Sequence, residues 1–265
     1  MPLSQSLDTV GPLARSAVDC ALLLGLMAGA DPDDPTTLAG PLPDYIAATR
    51  ASLTGLRIGV PSAFYVDDLD AEVARILDDT IAVLKREGAD IVKVELPDQR
   101  QLSSACQLVL AVEAAAFHKR WLIERPQDYG PQVLMRLQNG LAVPGVSYLE
   151  ALRWRGAALA AHVAATAGVD AVIAPVAPIP APTIAESDVG NAPDAESVIQ
   201  RLTRFTRPIN YLGLPALAVP AGFTANGIPV GMQLIGRSFD EATLLTIGAA
   251  FQRATDFHDT EPALP

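Results

Sequence analysis

The run from Leu56 to Leu96 limits the possible folds more than any other stretch. Leu56-Arg-Ile-Gly-Val60 is a short β-branched segment stopped by Pro61, and it predicts a strand. Asp70 stands where a helix N-cap belongs, and Val73, Ile76, Leu77, Ile81 and Leu84 follow at helical spacing up to Glu87. Gly88 takes the C′ position, and Asp90-Ile-Val-Lys-Val-Glu-Leu96 is a second strand. Strand, helix and strand in that order form a βαβ unit, with parallel pairing and a right-handed crossover.

Other segments extend this frame. Ser16 can cap a helix reaching about Ala30 whose residues are apolar on nearly every side, which predicts burial all round. Such a helix near the start of a chain predicts a neighbour that these residues do not contain. Helices are expected from Gln101 to Glu124, stopped before Pro126, and from Ser147 to Ala167, with Ser147 as cap. Val169 to Ala174 reads as a buried strand entering the proline-rich stretch Pro175–Pro182. Glu186 to Ala195 reads as a loop, and Glu196 to Arg207 as a helix ended by Pro208. Ala216–Phe223 and Pro229–Ile235 read as strands joined across Asn226-Gly227, a strong hairpin signal. Asp240 caps a last helix through Ala254. The expected fold class is α/β: a mixed, mostly parallel sheet flanked by helices, with one antiparallel hairpin.

A net charge of −11 argues against an electrostatic nucleic-acid footprint, because phosphate binding is driven by Lys and Arg. A small-molecule partner fits better. Cys20 and Cys106 lie far apart in apolar helical context and are expected as two buried thiols. Met1-Pro2-Leu3-Ser4 lacks the basic and apolar regions of a signal peptide, and the apolar stretch 17–30 is too short to span a bilayer. No membrane association is expected, and a cytoplasmic location is the default.

The common chemical motifs do not occur. No Gly-x-Gly or Gly-Lys pair is available for a nucleotide loop, and no G-x-S-x-G elbow for an α/β-hydrolase triad. His118, His162 and His258 are isolated from one another, so no local zinc spacing exists. Each reads as a surface or helix-face histidine, although His118 shares a helix with Glu113 and lies near Tyr129. No metal and no cofactor are expected.

Five segments together carry a resemblance. They are Ser6-Leu-Asp-Thr-Val-Gly-Pro-Leu-Ala-Arg-Ser-Ala-Val-Asp19, Leu56–Pro61, Asp170–Pro175 with Pro178, Arg207-Pro-Ile-Asn-Tyr-Leu-Gly-Leu-Pro215, and Val219-Pro220 with Gly227–Gly236. As a set they resemble the amidase signature family of serine amide hydrolases, and they run through nearly the whole chain. The resemblance implies that residues 1–265 form the C-terminal part of a single amidase-signature-like domain. It also implies a lysine, a serine on a cis peptide bond and a nucleophilic serine, the two serines in loops rich in glycine and serine. A serine hydroxyl needs such a base, and a lysine serves only when a desolvated setting lowers its pKa.

None of those catalytic residues can be assigned here. Lys85, Lys93 and Lys119 read as solvated, and Ser103-Ser104 has no adjoining glycine and reads as helix. The family's catalytic positions fall before Met1, which implies a chain inactive on its own. Low-specificity pocket candidates are Asp8 and Arg15, bracketing the first motif and expected to pair with each other or with loop amides. Others are Glu113 with the nearby Tyr129, Pro178, and Asn210, expected as a buried side chain that satisfies backbone groups. The expected substrate is a small-molecule amide, acted on once an N-terminal segment completes the site. A homodimer, an N-terminal partner chain in a split enzyme, and a non-catalytic binding protein built on the same fold remain alternatives. A component of a tRNA-dependent amidotransferase is a weaker fit, given Thr9-Val10 after Leu7-Asp8 and the acidic charge.

Overall fold

The computed structural model describes residues 2–34, 36–188 and 194–261. In chain order the elements are α1 (Ala17–Met27), α2 (Tyr45–Ala48), β1 (Arg57–Pro61), α3 (Ala71–Arg86), β2 (Asp90–Val94), α4 (Gln99–Glu124), α5 (Pro131–Leu141) and α6 (Gly145–Thr166). There follow β3 (Ala171–Pro175), α7 (Ile184–Ser187), α8 (Ala195–Leu202), α9 (Arg207–Leu212), β4 (Ala216–Phe223), β5 (Pro229–Ile235) and α10 (Glu241–Arg253).

The βαβ unit forms as the sequence requires. Asp70 accepts from Glu72 N, and at the other end Gly88 (φ 102°) turns the chain out of α3. There Gly88 N bonds Lys85 O at 3.1 Å and Ala89 N bonds Leu84 O at 3.1 Å, the two-bond Schellman closure. Any side chain at position 88 would be strained at that φ. β1 pairs in parallel with β2 from Arg57↔Asp90 to Pro61↔Val94, and in parallel with β3 on its other edge.

The sheet order is β2-β1-β3-β5-β4. β5 runs antiparallel to both β3 and β4, so it is the one reversed strand among the described residues. Alternation along β3 and β5 separates two apolar layers. Ala171, Ile173, Met232 and Leu234 face Val73, Ile76 and Leu84 of α3 and Ile247 and Phe251 of α10. Val172, Ala174 and Ile235 face Leu102, Cys106 and Val109 of α4, Ala158 of α6, and Ile209 and Tyr211 of α9. Gln233, buried between these strands, donates to Pro175 O at 2.9 Å and Phe205 O at 3.3 Å, tying β5 to the approach to α9. α5 packs closely on α4 because Gly140 has no side chain: a Cβ there would lie 2.0 Å from Ala111 O.

Several expectations need correction. Ser16 does cap α1 through Asp19 N, but only Ala17, Cys20 and Ala21 of the helix are buried, against Leu245 and Ala249. Val18, Leu22, Leu23, Leu26 and Met27 are exposed, because α2 and α10 cover one side only. Pro208 opens α9 instead of ending the helix before it; a proline fits the first turn, where its missing N–H has no partner to lose. Ser147 lies inside α6, whose N-cap is Pro144. In the expected 186–195 loop, residues 184–187 form a helical turn closed by the Thr183–Glu186 capping box, and residues 189–193 lie outside the described residues. Asp240 occupies the N-cap of α10, yet its carboxylate takes the Thr243 hydroxyl at 2.8 Å and no backbone amide. α2 and α5 are helices that periodicity did not single out.

Both cysteines are free and buried. Among the described residues no helix is long and apolar enough to cross a membrane.

Candidate functional site

Asp98 caps α4 through Arg100 N at 2.9 Å, and the helix then crosses the sheet beside α6 and α9. Residues seven apart on a helix share a face, so Cys106 and Glu113 of α4 look the same way, as do Tyr148 and Arg155 of α6. These two faces meet over the N-terminal segment. Glu113 is partly buried and accepts four hydrogen bonds there. Ser4 Oγ donates at 2.6 Å and Ser6 N at 3.0 Å to Oε2; Ser6 Oγ at 2.7 Å and Tyr148 OH at 2.9 Å donate to Oε1. Burial pushes the Glu113 carboxyl upward, but the bonds from Ser4, Ser6 and Tyr148 outweigh it and hold the group below the usual carboxylate range. Burial and the facing carboxylate raise the Tyr148 hydroxyl.

The segment is clamped from two further sides. Asp8 accepts from Leu3 N at 2.7 Å and Ser4 N at 3.1 Å, closing the turn. Arg155 Nη1 donates to Ser6 O at 3.0 Å, and its guanidinium lies 5.9 Å from the centre of the Tyr211 ring.

A second polar network continues along α4. The Gln107 amide lies between α8 and α9. Turned one way it donates to Gln200 Oε1 at 2.6 Å; turned the other way its oxygen accepts from Arg207 Nη1 at 2.7 Å and Nη2 at 3.2 Å. Arg207 also bonds the Thr203 hydroxyl. Gln200 donates to Glu196 at 2.9 Å, and Arg136 of α5 reaches both Glu196 oxygens at 3.0 and 2.8 Å. Cys106 precedes Gln107 on α4 and is buried. Burial pushes its thiol up to about 11, against the opposing fields of Arg207 and Arg155. Burial likewise pulls the Arg207 guanidinium below its ordinary value.

The structure therefore joins Asp8 and Glu113, through Ser4, and leaves the other candidates apart. Arg15 is exposed and pairs with Glu261 at 2.9 Å, not with Asp8. Pro178 is buried, and its carbonyl accepts from Asp70 N at 2.9 Å at the head of α3. Tyr129 bonds His118 Nδ1 at 2.8 Å and takes no part in the Glu113 cluster. Asn210 is exposed, contrary to expectation: on α9 the buried positions are Pro208, Ile209, Tyr211 and Leu212, and the helical turn puts residue 210 outside. The sequence reading missed Ser4, Ser6, Tyr148, Arg155, Gln107 and Arg207. The seven-residue spacings on α4 and α6 are the signal that could have found two of them.

No serine–lysine pair forms among the described residues. Lys85, Lys93 and Lys119 are exposed, and Ser104 Oγ bonds back to Arg100 O at 3.0 Å within α4. Nor do three metal-ligating side chains come together there. A cleft of about 280 Å³ lies on the opposite side of the sheet, between Asp79, Thr80, Val83 and Arg86 of α3 and Phe251 and Phe257, and touches neither network.

The comparisons with known proteins agree with this architecture. Residues 1–245 match the family described as Amidase. An amidase of Pseudomonas putida is 38% identical over 264 residues, covering 99% of this chain and 56% of the relative. One of the subunits of the glutamyl-tRNA(Gln) amidotransferase of Roseiflexus sp. (strain RS-1) is 37% identical, covering 99% of this chain and 57% of its own length. Among solved structures, a chain of an unexpected vestigial protein complex that reveals the evolutionary origins of an s-triazine catabolic enzyme superposes with a TM-score of 0.84 at 29% identity. It covers 96% of this chain and 55% of that one. The chain thus spans about half the length of the curated relatives it matches.

Proposed function

Since this chain belongs to the amidase family, we propose that it forms the C-terminal part of a hydrolase for the C–N bond of a small amide. In this reading it builds substrate-facing surface, and the nucleophilic serine and its lysine base come from a segment outside these 265 residues. The observation that carries it is a family match over residues 1–245 without any glycine- and serine-rich loop or serine–lysine contact among the described residues. Catalysis of this kind needs a hydroxyl beside a base and N–H groups aimed at the oxyanion. Alone, then, the chain is inactive.

The first motif supports a role at the border with that segment. Glu113, Tyr148, Arg155 and Asp8 hold residues 3–8 in one geometry, so whatever lies against this turn meets a fixed surface. The completing segment can be covalently attached or a separate polypeptide. A partner chain gains support from relatives named as one component of an amidotransferase and as a member of a vestigial complex. A second copy of this chain is the competing partner.

The test is complementation. The N-terminal segment of the Pseudomonas putida amidase, produced separately, is mixed with this chain and hydrolysis of simple amides is followed by ammonia release. Activity in the mixture and none in either component is the expected result. A well-folded mixture that stays inactive on a broad amide panel favours the binding-protein alternative.

A further inference from the structure

The cleft between α3 and the end of α10 belongs to neither polar network. Its volume of about 280 Å³ lies at the lower end of the range for small-molecule sites and suits a ligand of amino-acid size. Val83, Ala221 and Phe251 give it an apolar floor. Phe257 adds a half-buried ring packed on Phe251, with centres 6.3 Å apart.

The charged groups around that floor are divided between two walls. On α3, Asp79 is taken by Arg75 at 2.9 Å, while the exposed Arg86 guanidinium has no partner among the described residues. Past the end of α10, the exposed Asp256 carboxylate likewise has no partner among them; only its backbone carbonyl is bonded, by Asp259 N and Thr260 Oγ1. Two further features distinguish the Asp256 wall. Thr255 Oγ1 donates its proton to Phe251 O at 2.9 Å, so toward the cleft this hydroxyl offers an acceptor; Thr80, which donates to Ile76 O at 2.7 Å, does the same from α3. The C-terminal end of α10 also lies here, with its partial negative charge, and Arg253 of its last turn reaches away to the carbonyls of Thr49 and Ala51. One wall therefore offers an unpaired cationic fork, and the other a carboxylate with further acceptors.

This distribution selects among ligand classes. A phosphate or nucleotide would meet a single cation, and a metal ion a single unpaired carboxylate, with no group of three ligating side chains among the described residues. We propose that the cleft binds a free aromatic α-amino acid. Its carboxylate takes the Arg86 fork, its ammonium lies between Asp256 and the Thr255 hydroxyl, and its ring packs against Phe257. The cleft is on the opposite side of the sheet from residues 3–8, so this site does not depend on the reading of the chain as part of an amide hydrolase.

Titrations of the isotope-labelled 265-residue chain test the site, with the amide signals of Thr80, Val83, Ala254 and Thr255 followed by NMR. The probes are phenylalanine, 3-phenylpropionate (no ammonium), phenethylamine (no carboxylate) and alanine (no ring). Phenylalanine should shift these signals, and each analogue should bind about tenfold more weakly. Arg86→Gln should erase the advantage of phenylalanine over phenethylamine, and Asp256→Asn its advantage over 3-phenylpropionate. Lys85→Gln, at an exposed neighbour that does not line the cleft, should change nothing. Thermal melts check that each variant is folded; where one is not, the analogue series on the unaltered chain decides. No shift with phenylalanine overturns the site, as do shifts confined to signals outside the cleft. Equal binding of phenylalanine and any of its three analogues overturns it too, as does an affinity unchanged in both charge variants. Amide hydrolysis plays no part in the readout, so failed complementation leaves this result untouched.

Discussion

The two faces of the sheet are built from the same strands and serve different ends. Against α3 and α10 the strands present Ala171, Ile173, Met232 and Leu234 to an almost wholly aliphatic and aromatic layer. Against α4, α6 and α9 the apolar layer is equally continuous, but above it run Glu113 with its four donors, two arginines without a carboxylate, and the Gln107–Gln200–Glu196 chain. Buried polar groups are mostly satisfied in folded proteins, and a satisfied network fixes one geometry where an apolar layer would allow several. One face thus holds the fold together, and the other holds residues 3–8 and the α8–α9 corner in one arrangement.

Perturbing each face separately sharpens this contrast. The largest effect belongs to the apolar face. Ile76→Ala empties a fully buried position on α3 and should lower stability by about 3 kcal/mol in denaturant melts, with little effect on native-state hydrogen exchange at the Ser6 amide. Faster exchange of the Ser6 amide in that variant at temperatures where it stays folded would dissolve the distinction.

The polar side should own most of the pH dependence. His162 on α6 is buried, its Nδ1 has no hydrogen-bond partner among the described residues, and burial pulls its pKa down to about 4 from an ordinary 6.5. The unfolded chain therefore binds a proton between those values and the folded chain does not. Stability should be full above about pH 6.5 and fall by roughly 3 kcal/mol as pH drops to 4. His162→Gln should flatten that part of the profile, read from urea midpoints at several pH values.

Glu113 acts at lower pH and with the same sign. Its folded pKa is depressed, so the stability it contributes is present above the ordinary carboxylate range and is lost as pH falls through the folded value. At neutral pH, Glu113→Gln puts an amide among four donors and should cost about 1–3 kcal/mol. Faster hydrogen exchange at the Ser6 amide, with no change at Ile58 or Ile173 in the sheet, is the local signature. The smallest effect belongs to the exposed Arg15–Glu261 pair, where Arg15→Gln should change stability by less than about 0.5 kcal/mol.

Much of the fold was legible because local signals agreed with one another. The Asp70 cap, the α3 periodicity and Gly88 marked a helix whose ends are closed as the residues require, and Asn226-Gly227 marked the β4–β5 hairpin. Pro208 misled because a proline reads as a stop when the helix it opens is short. Gly140 gave no warning of the tight α4–α5 contact, which depends on where Ala111 lies in space. The site was less legible for the same reason. Glu113 and Asp8 were visible as charges near motifs, but their partners are contributed from up to 109 residues away, and Arg155 reaches Ser6 across 149. Asn210 failed because its motif context suggested burial, while the face of α9 it occupies is set by Ile209 and Tyr211 packing inward.

Val18, Leu22, Leu23, Leu26 and Met27 of α1 are exposed, which fits the proposal that another segment supplies the nucleophile. The most direct test is to treat the purified 265-residue chain with a fluorophosphonate probe and map any adduct by mass spectrometry, with an intact amidase as positive control. The account predicts labelling of the control and no serine adduct on this chain. A stoichiometric adduct on any serine within it would contradict the account, because the chain would then hold its own activated nucleophile.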